Sequence, residues 1–342
     1  MRGRTVALDG LGGREVAALV EDGRLADLFV EAPGPLAPGA ICRAVLGRTM
    51  KGQGGATLRL PGGATGFLRR AEGRAPGCAI TVQVTALPEP GKAPPVTDRP
   101  LFKSRLAILT PFTPGLAVSR RLRDDPERDR LLEIADAAME GSSMGLILRT
   151  AAQGAAREDV AADIAALRAA AEPVMADQGR EPELLLDADG PHALAWREWA
   201  EPAELDDAPG SFERHGVLDA LEALRSPRVA LGEGSIFVEP TRAFVAVDVN
   251  TGGDASMAAG LKANLACVRE LPRQLRLRGL GGQVVIDPAP MPKRDRRSFE
   301  DALRAALRSC PVETTLVGWT PLGHYELTRR RERVPTSALE LS

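Results

Sequence analysis

Short apolar runs separated by Gly and Pro fill the first third of the chain, and helical periodicity begins only after residue 120. The stretch EVAALVEDGRLADLFVEAP is two apolar segments joined by Asp22-Gly23. That dipeptide suits the positive φ of a type I′ turn, so an N-terminal β-hairpin is predicted within residues 1–35. From about Pro35 to Thr110 the runs ICRAVLG, ATLRLP, TGFLRRA and AITVQVTAL lack helical spacing and predict a small β-barrel over residues 36–117. DPERDRLLEIADAAME then brings apolar residues at helical spacing, with Asp125-Pro126 as cap and first helical position. GLILRT follows as a buried strand and EDVAADIAALRAAAEPVM as an alanine-rich helix, giving an α/β unit over residues 118–180. Between 181 and 233 the pattern is mixed: ELLLDAD reads as a strand, AEPAELDDAPGS as a linker or shortened loop, and GVLDALEALRS as a helix.

Residues 234–342 are patterned more clearly. SIFVEPTRAFVAVDVN reads as a hairpin with Phe244–Val249 as its second strand, followed by a long helix interrupted by Pro272, the strand GQVVIDP and the helix SFEDALRAALRS. Strand, helix and strand in this order make a βαβ unit whose right-handed crossover leaves two parallel, neighbouring strands. Asp248 and Asp287 end those strands, at the edge where open α/β sheets bind ligands. Two adjacent carboxylates repel unless a cation lies between them, and an all-oxygen site of this kind suits Mg²⁺ or Mn²⁺. A hydrated metal there activates water and stabilises charge on a phosphoryl oxygen, which is the chemistry of phosphodiester hydrolysis. Asn250 stands two residues after Asp248, placed to hold a water or a phosphate oxygen. The competing reading of strand-end aspartates is that they form turns or cap helices.

Composition adds constraints. The 342 residues are 44 % hydrophobic and 26 % charged, as expected of a folded chain with room for two or three domains. Formal net charge is −2, so nucleic-acid affinity must come from local clustering. The barrel segment supplies such a cluster: Arg43, Arg48, Lys51, Arg59, Arg69, Arg70, Arg74, Lys92, Arg99, Lys103 and Arg105 against chiefly Glu72, Glu89 and Asp98. A single-strand binder also needs stacking aromatics, for which Phe67 and Phe102 are candidates, with a core role the alternative for Phe67. Cys42, Cys78, Cys267 and Cys310 lack zinc-ligand spacing and read as reduced thiols. No signal peptide or membrane span is evident, which makes the expected location cytoplasmic. With three histidines and no nucleophile constellation, histidine chemistry is not expected to be central.

AFVAVDVNTGG, then ANLACVRELPRQLRLRGLGGQVVIDPAPM and GHYELTRRR, resemble the catalytic core of the ribonuclease E/G family. ALVEDGRLADLFVE is similar to that family's opening hairpin, the basic barrel to its OB-type RNA-binding domain, and VSRRLRD with GLILRTA to its 5′-end sensor. The resemblance implies an α/β multi-subdomain fold: an N-terminal β-hairpin belonging with a reduced RNase-H-like remnant, an OB-type barrel, an α/β sensor and a DNase-I-like catalytic subdomain. It implies an endoribonuclease acting on single-stranded RNA, with Asp248 and Asp287 as magnesium ligands and Asn250 as their catalytic companion. Arg149 and Thr150 match the residues that recognise a 5′-monophosphate; a guanidinium grips a terminal phosphate and a hydroxyl adds a donor. The default for Arg149 otherwise is an ion pair. Phe67, Lys103, Arg120 and Arg121 are the RNA-binding candidates, solvation being the alternative for both arginines. Arg276 and Arg278 either complement a helix C-terminus or face substrate.

Departures from the family pattern shape the remaining expectations. The Cys-Pro-x-Cys element is absent, so neither a zinc site nor a zinc-linked dimer is expected, although other oligomers are open. Thr57 stands where the family has a stacking aromatic, Pro290 where it has an acid, and Pro321 where a sensor arginine is expected. The rival reading is therefore an RNA-binding or regulatory protein that retains the scaffold without cleavage; an enzyme acting on another phosphate ester is a third.

Overall fold

The computed structural model describes residues 3–34, 36–50, 54–71, 73–89 and 91–340. Lys51 and Glu72, counted above in the charge of the barrel segment, lie outside the described residues. The fold is mixed α/β and divides into two compact units, one of residues 1–31 with 203–342 and the other of residues 32–202. The segment 181–233 is thus shared between them.

In the first unit the chain opens not on one hairpin but on a meander of three strands, Arg4–Leu11, Arg14–Glu21 and Arg24–Val30. The Asp22-Gly23 turn forms with φ of 51° and 78°, the left-handed pair that an I′ turn requires. The additional turn, at Gly12-Gly13, escaped prediction because the polar TVALDG segment lacks a strong strand pattern. Part of the expected linker is also a strand: Glu204–Asp206 pairs in parallel with Arg4–Leu11. Val16, Ala18 and Val20 alternate inward against Phe212, Val217 and Leu221.

A second sheet in this unit has the order Arg228–Leu231, Gly234–Pro240, Val245–Asn250, Gly282–Asp287, Tyr325–Arg329 and Thr314–Trp319. Two of its strands, Val245–Asn250 and Gly282–Asp287, are parallel neighbours joined through the helix Met257–Leu277. This helix and Arg296–Arg308 contribute Val268, Leu271, Phe299 and Leu303 to a core with Val245, Val247, Val284 and Ile286. Contrary to the expected interruption, Met257–Leu277 continues through Pro272, whose ring is buried. Burial along the rest of the helix outweighs the local cost of the missing donor.

In the other unit, Ile41–Thr49 pairs with Ala56–Arg59 and with Ala79–Val84. Thr65–Leu68 joins Ala56–Arg59 to Pro95–Thr97, which returns to Ala79–Val84, closing a five-stranded barrel. Leu46, Leu58, Leu68, Val82 and Val96 fill its interior. The strand predicted in ELLLDAD, Glu183–Leu186, lies along Ile41–Thr49. A second sheet orders Leu116–Val118, Gly145–Leu148, Ala107–Thr110 and Phe102–Lys103, with helices Asp125–Ala138 and Arg157–Met175 packed against its core. The first of those helices begins at Asp125, with Asp124 rather than Asp125 at the cap.

Candidate functional site

The acid edge follows from strand alternation. Val245, Val247 and Val249 point into the core, which turns Ala246, Asp248 and Asn250 to the opposite face. Val284 and Ile286 do the same on the neighbouring strand and leave Asp287 outward. The parallel register pairs Asp248 directly with Asp287. In-register residues of neighbouring strands share a face and are separated by ~4.8 Å at the backbone. Pro288 then ends the strand because it has no N–H for the ladder.

The loop after Asp287 is tied to the long helix. The buried Asn264 amide donates to the Ala289 carbonyl at 2.8 Å and its oxygen accepts from the Ala289 N–H at 2.9 Å, so both main-chain groups are satisfied. Gly260 makes this approach possible, since a Cβ there would lie 1.9 Å from the Pro290 carbonyl oxygen. Neither residue was singled out from sequence; an Asn at helical spacing on an apolar face was the available signal. At the edge itself Asn250 donates to Asp248 Oδ2 at 2.7 Å, and His324 Nε2 lies 3.7 Å from Asp287 Oδ1. That histidine, passed over in the sequence, starts the return into the strand paired with Gly282–Asp287. Phe237 sits opposite Asp248 on the other neighbouring strand.

The donor set fits a hard divalent cation: two outward carboxylates in register, with the Asp287 side chain 65 % exposed and open to water. Among the described residues no three His, Cys, Asp or Glu side chains converge on a metal-sized site. The rest of the coordination shell would fall to water and phosphate oxygens, as Mg²⁺ prefers.

Arg149 and Thr150 follow the strand Gly145–Leu148, and Ser119, Arg120 and Arg121 follow its parallel neighbour, so the two turns are brought together. The hydroxyls of Thr150 and Ser119 are 3.2 Å apart. Thr150, Arg120 and Arg121 are exposed. Arg149 is half-buried and already engaged, donating to the carbonyls of Ser104 (2.6 Å) and Arg197 (3.2 Å) and to Glu198 (2.5 Å). Burial pushes the Glu198 carboxyl up, but Arg149 and Arg197 outweigh it and hold the group below the usual carboxylate range. These bonds use three of the five guanidinium donors.

On the barrel, Phe67 points outward beside Thr57, half-buried, with its ring over Gly55, where a Cβ would meet it at 2.6 Å. Phe102, the other stacking candidate, is instead 3 % exposed within the core of the neighbouring sheet. Lys103, next to it, is exposed. The basic cluster is also less basic than its segment suggests. Arg43 is bound by Asp177 and Glu183, Arg59 by Glu181, Arg74 by Asp98 and Lys92 by Glu89. Three of those acids come from the distant 177–183 stretch. Arg48, Arg69, Arg70 and Arg99 are exposed.

Arg276 and Arg278 are both engaged within their own unit. Arg276 donates to the Ala26 carbonyl and Cys310 Sγ, and Arg278 to the carbonyls of Leu224 and Ser226. All four cysteines are unpaired, and burial raises the Cys42 and Cys267 thiols to about 11 and about 12, which makes them poor nucleophiles. No helix among the described residues is long and apolar enough to cross a membrane.

A closed barrel and a sheet with paired acids at its carboxyl edge, carried on one chain, define a two-unit α/β protein. The model of the ribonuclease E/G family matches residues 102–202 and 198–332, more than half of the chain, and the protein belongs to that family. It is 29 % identical over 300 residues to a protein named ribonuclease E from Nostoc sp., covering 75 % of this chain and 44 % of the relative. Proteins named ribonuclease G from Salmonella typhimurium and Escherichia coli are 28 % identical, over 297 and 298 residues, each covering 75 % of this chain and 60 % of the relative. The chain spans about half the length of these curated relatives.

Proposed function

We propose that the protein is a metal-dependent endoribonuclease that hydrolyses single-stranded RNA in RNA processing or decay, leaving a 5′-phosphate on the downstream fragment. The observation that carries this reading is the direct register of Asp248 with Asp287 on one exposed face. Asp248 and Asp287 hold Mg²⁺, or Mn²⁺ in its place. Bound there, the ion neutralises the paired carboxylates, lowers the pKa of water and stabilises charge on a phosphoryl oxygen. Asn250 fixes the Asp248 carboxylate through its 2.7 Å hydrogen bond, and Asn264 fixes the backbone just beyond Asp287. Family membership and the names of the relatives favour RNA as the phosphodiester.

In this reading the sheet with the acid edge is the DNase-I-like subdomain and the five-stranded barrel is an OB-type RNA binder. The barrel holds the strand through a base stacked on Phe67, and the neighbouring sheet of the same unit adds backbone contacts through Lys103, Arg120 and Arg121. Arg149 and Thr150 recognise a 5′-monophosphate, with the phosphate competing against Glu198 for the guanidinium. Incubation of a 5′-monophosphorylated, A/U-rich oligonucleotide with the protein and Mg²⁺ tests the assignment. Cleavage by the wild type and its loss in both Asp248→Asn and Asp287→Asn is the expected result. Binding without cleavage by the wild type would select a non-catalytic RNA-binding protein instead. Replacing the 5′-phosphate by a hydroxyl should slow cleavage, and Arg149→Ala should erase that difference; equal wild-type rates on both ends would remove the sensing assignment alone.

A further inference from the structure

We infer that Trp196 is a stacking platform for a base of single-stranded RNA, a site additional to Phe67 that rests on the RNA-binding reading above. Trp196 lies on the short helix Pro191–Glu198 and is 70 % exposed, whereas Trp199, three residues later, is buried at 7 %. Isolated exposed apolar residues are ordinary, so exposure alone means little. What distinguishes this indole is its backing. The Arg105 guanidinium lies over one face of the ring, 4.1 Å from the centroid. Arg105 is itself fixed, donating to the carbonyls of Trp196 and, at 2.9 Å, Ala200. One face is therefore covered by a held cation while most of the side chain remains in water. An indole in this state can accept a base on its open face with little ordering left to do, and the guanidinium behind it adds attraction for a nearby phosphate.

The surroundings point to the same occupant. Arg105 sits in the turn between Phe102–Lys103 and Ala107–Thr110, the turn whose Ser104 carbonyl accepts from Arg149. Arg149 also donates to the carbonyl of Arg197, the residue next to Trp196. An open aromatic face and a guanidinium with unused donors thus share one scaffold. A nucleotide presents the matching pair, a base and a phosphate. Stacking is sequence-tolerant because every base has a π face, so the platform should contribute grip rather than sequence choice.

The test uses the full chain and a 5′-phosphorylated, 2′-O-methyl A/U-rich oligonucleotide, which presents a single strand without a 2′-hydroxyl, titrated while tryptophan emission and fluorescence anisotropy of an oligonucleotide label are read. The expected result is quenching of wild-type emission that is mostly lost in Trp196→Leu, with binding weakened on the order of ten-fold in that variant. Trp196→Tyr should recover most of the affinity, which a purely structural defect of Trp196→Leu would not predict. Unaltered affinity in Trp196→Leu, with Phe67→Ala binding more weakly, would overturn the platform while leaving RNA binding intact. Absence of binding by the wild type would overturn both readings. Affinity for a duplex of the same composition that falls equally in Trp196→Leu would also overturn stacking, because paired bases offer no free face.

Discussion

The acid edge and the Arg149 turn both place charge at the ends of strands, yet the fold treats the two charges in opposite ways. Asp248 and Asp287 face solvent on one side of the sheet, and among the described residues their side chains are met by the Asn250 amide and the His324 ring. Arg149 is met by Glu198 and two carbonyls before any ligand arrives. A site that leaves like charges adjacent stores a demand for a cation, whereas a site that satisfies its own charge makes a ligand compete for it. Substitutions at the first should act on activity with little effect on stability, and substitutions at the second should do both.

The largest expected effect is on cleavage by Asp248→Asn or Asp287→Asn. Each should reduce kcat/KM on the order of 10³-fold, the equivalent of several kcal/mol of lost charge stabilisation. The thermal midpoint should scarcely change, since relief of the repulsion between the carboxylates offsets the weaker interactions an amide makes with Asn250 or His324. A marked loss of Tm would break the contrast. Arg149→Ala should instead destabilise the protein by about 2 kcal/mol, seen as a lower urea midpoint, because Glu198 and two carbonyls lose a donor. Asn264→Ala should cost about 2 kcal/mol by leaving the Ala289 N–H and carbonyl unpaired in a buried place. It should also lower cleavage, which Arg149→Ala on a 5′-hydroxyl substrate should not.

The smallest effect sharpens the comparison most. Glu198→Gln should raise discrimination for a 5′-phosphate over a 5′-hydroxyl by a few-fold, since the competitor for Arg149 is weakened; unchanged discrimination would show that Glu198 does not gate the guanidinium. The same variant carries a pH signature. Glu198 is held below its ordinary pKa by Arg149 and Arg197 despite burial. Its pairing therefore contributes stability that is fully present above the usual carboxylate pKa and lost as pH falls through the lowered folded value. Urea midpoints measured down that acidic range should fall more steeply in the wild type than in Glu198→Gln.

Features carried by local pattern were legible in the sequence. Valines alternating before Asp248, and Val284 with Ile286 before Asp287, fix both the strands and the outward direction of the acids, and the intervening helix fixes their parallel sense. Features set by distant partners were not. Nothing near Arg43 announces that Asp177 and Glu183, more than 130 residues away, will neutralise it. Phe102 looked like an exposed aromatic between basic residues because the core that buries it is assembled from later helices. Pro272 looked like a break because local propensity omits the packing that holds the helix on either side. The three-residue strand Glu204–Asp206 is too short to leave a pattern and exists through its pairing with the N-terminal strand.

Glu183–Leu186, laid along Ile41–Thr49 while Arg43 binds Asp177 and Glu183, fastens the end of its unit to the barrel at the beginning. A protease that severed the chain at residues 178–180 would therefore not release the later piece: ladder bonds and ion pairs would keep the nicked halves together, and they would separate only under denaturant.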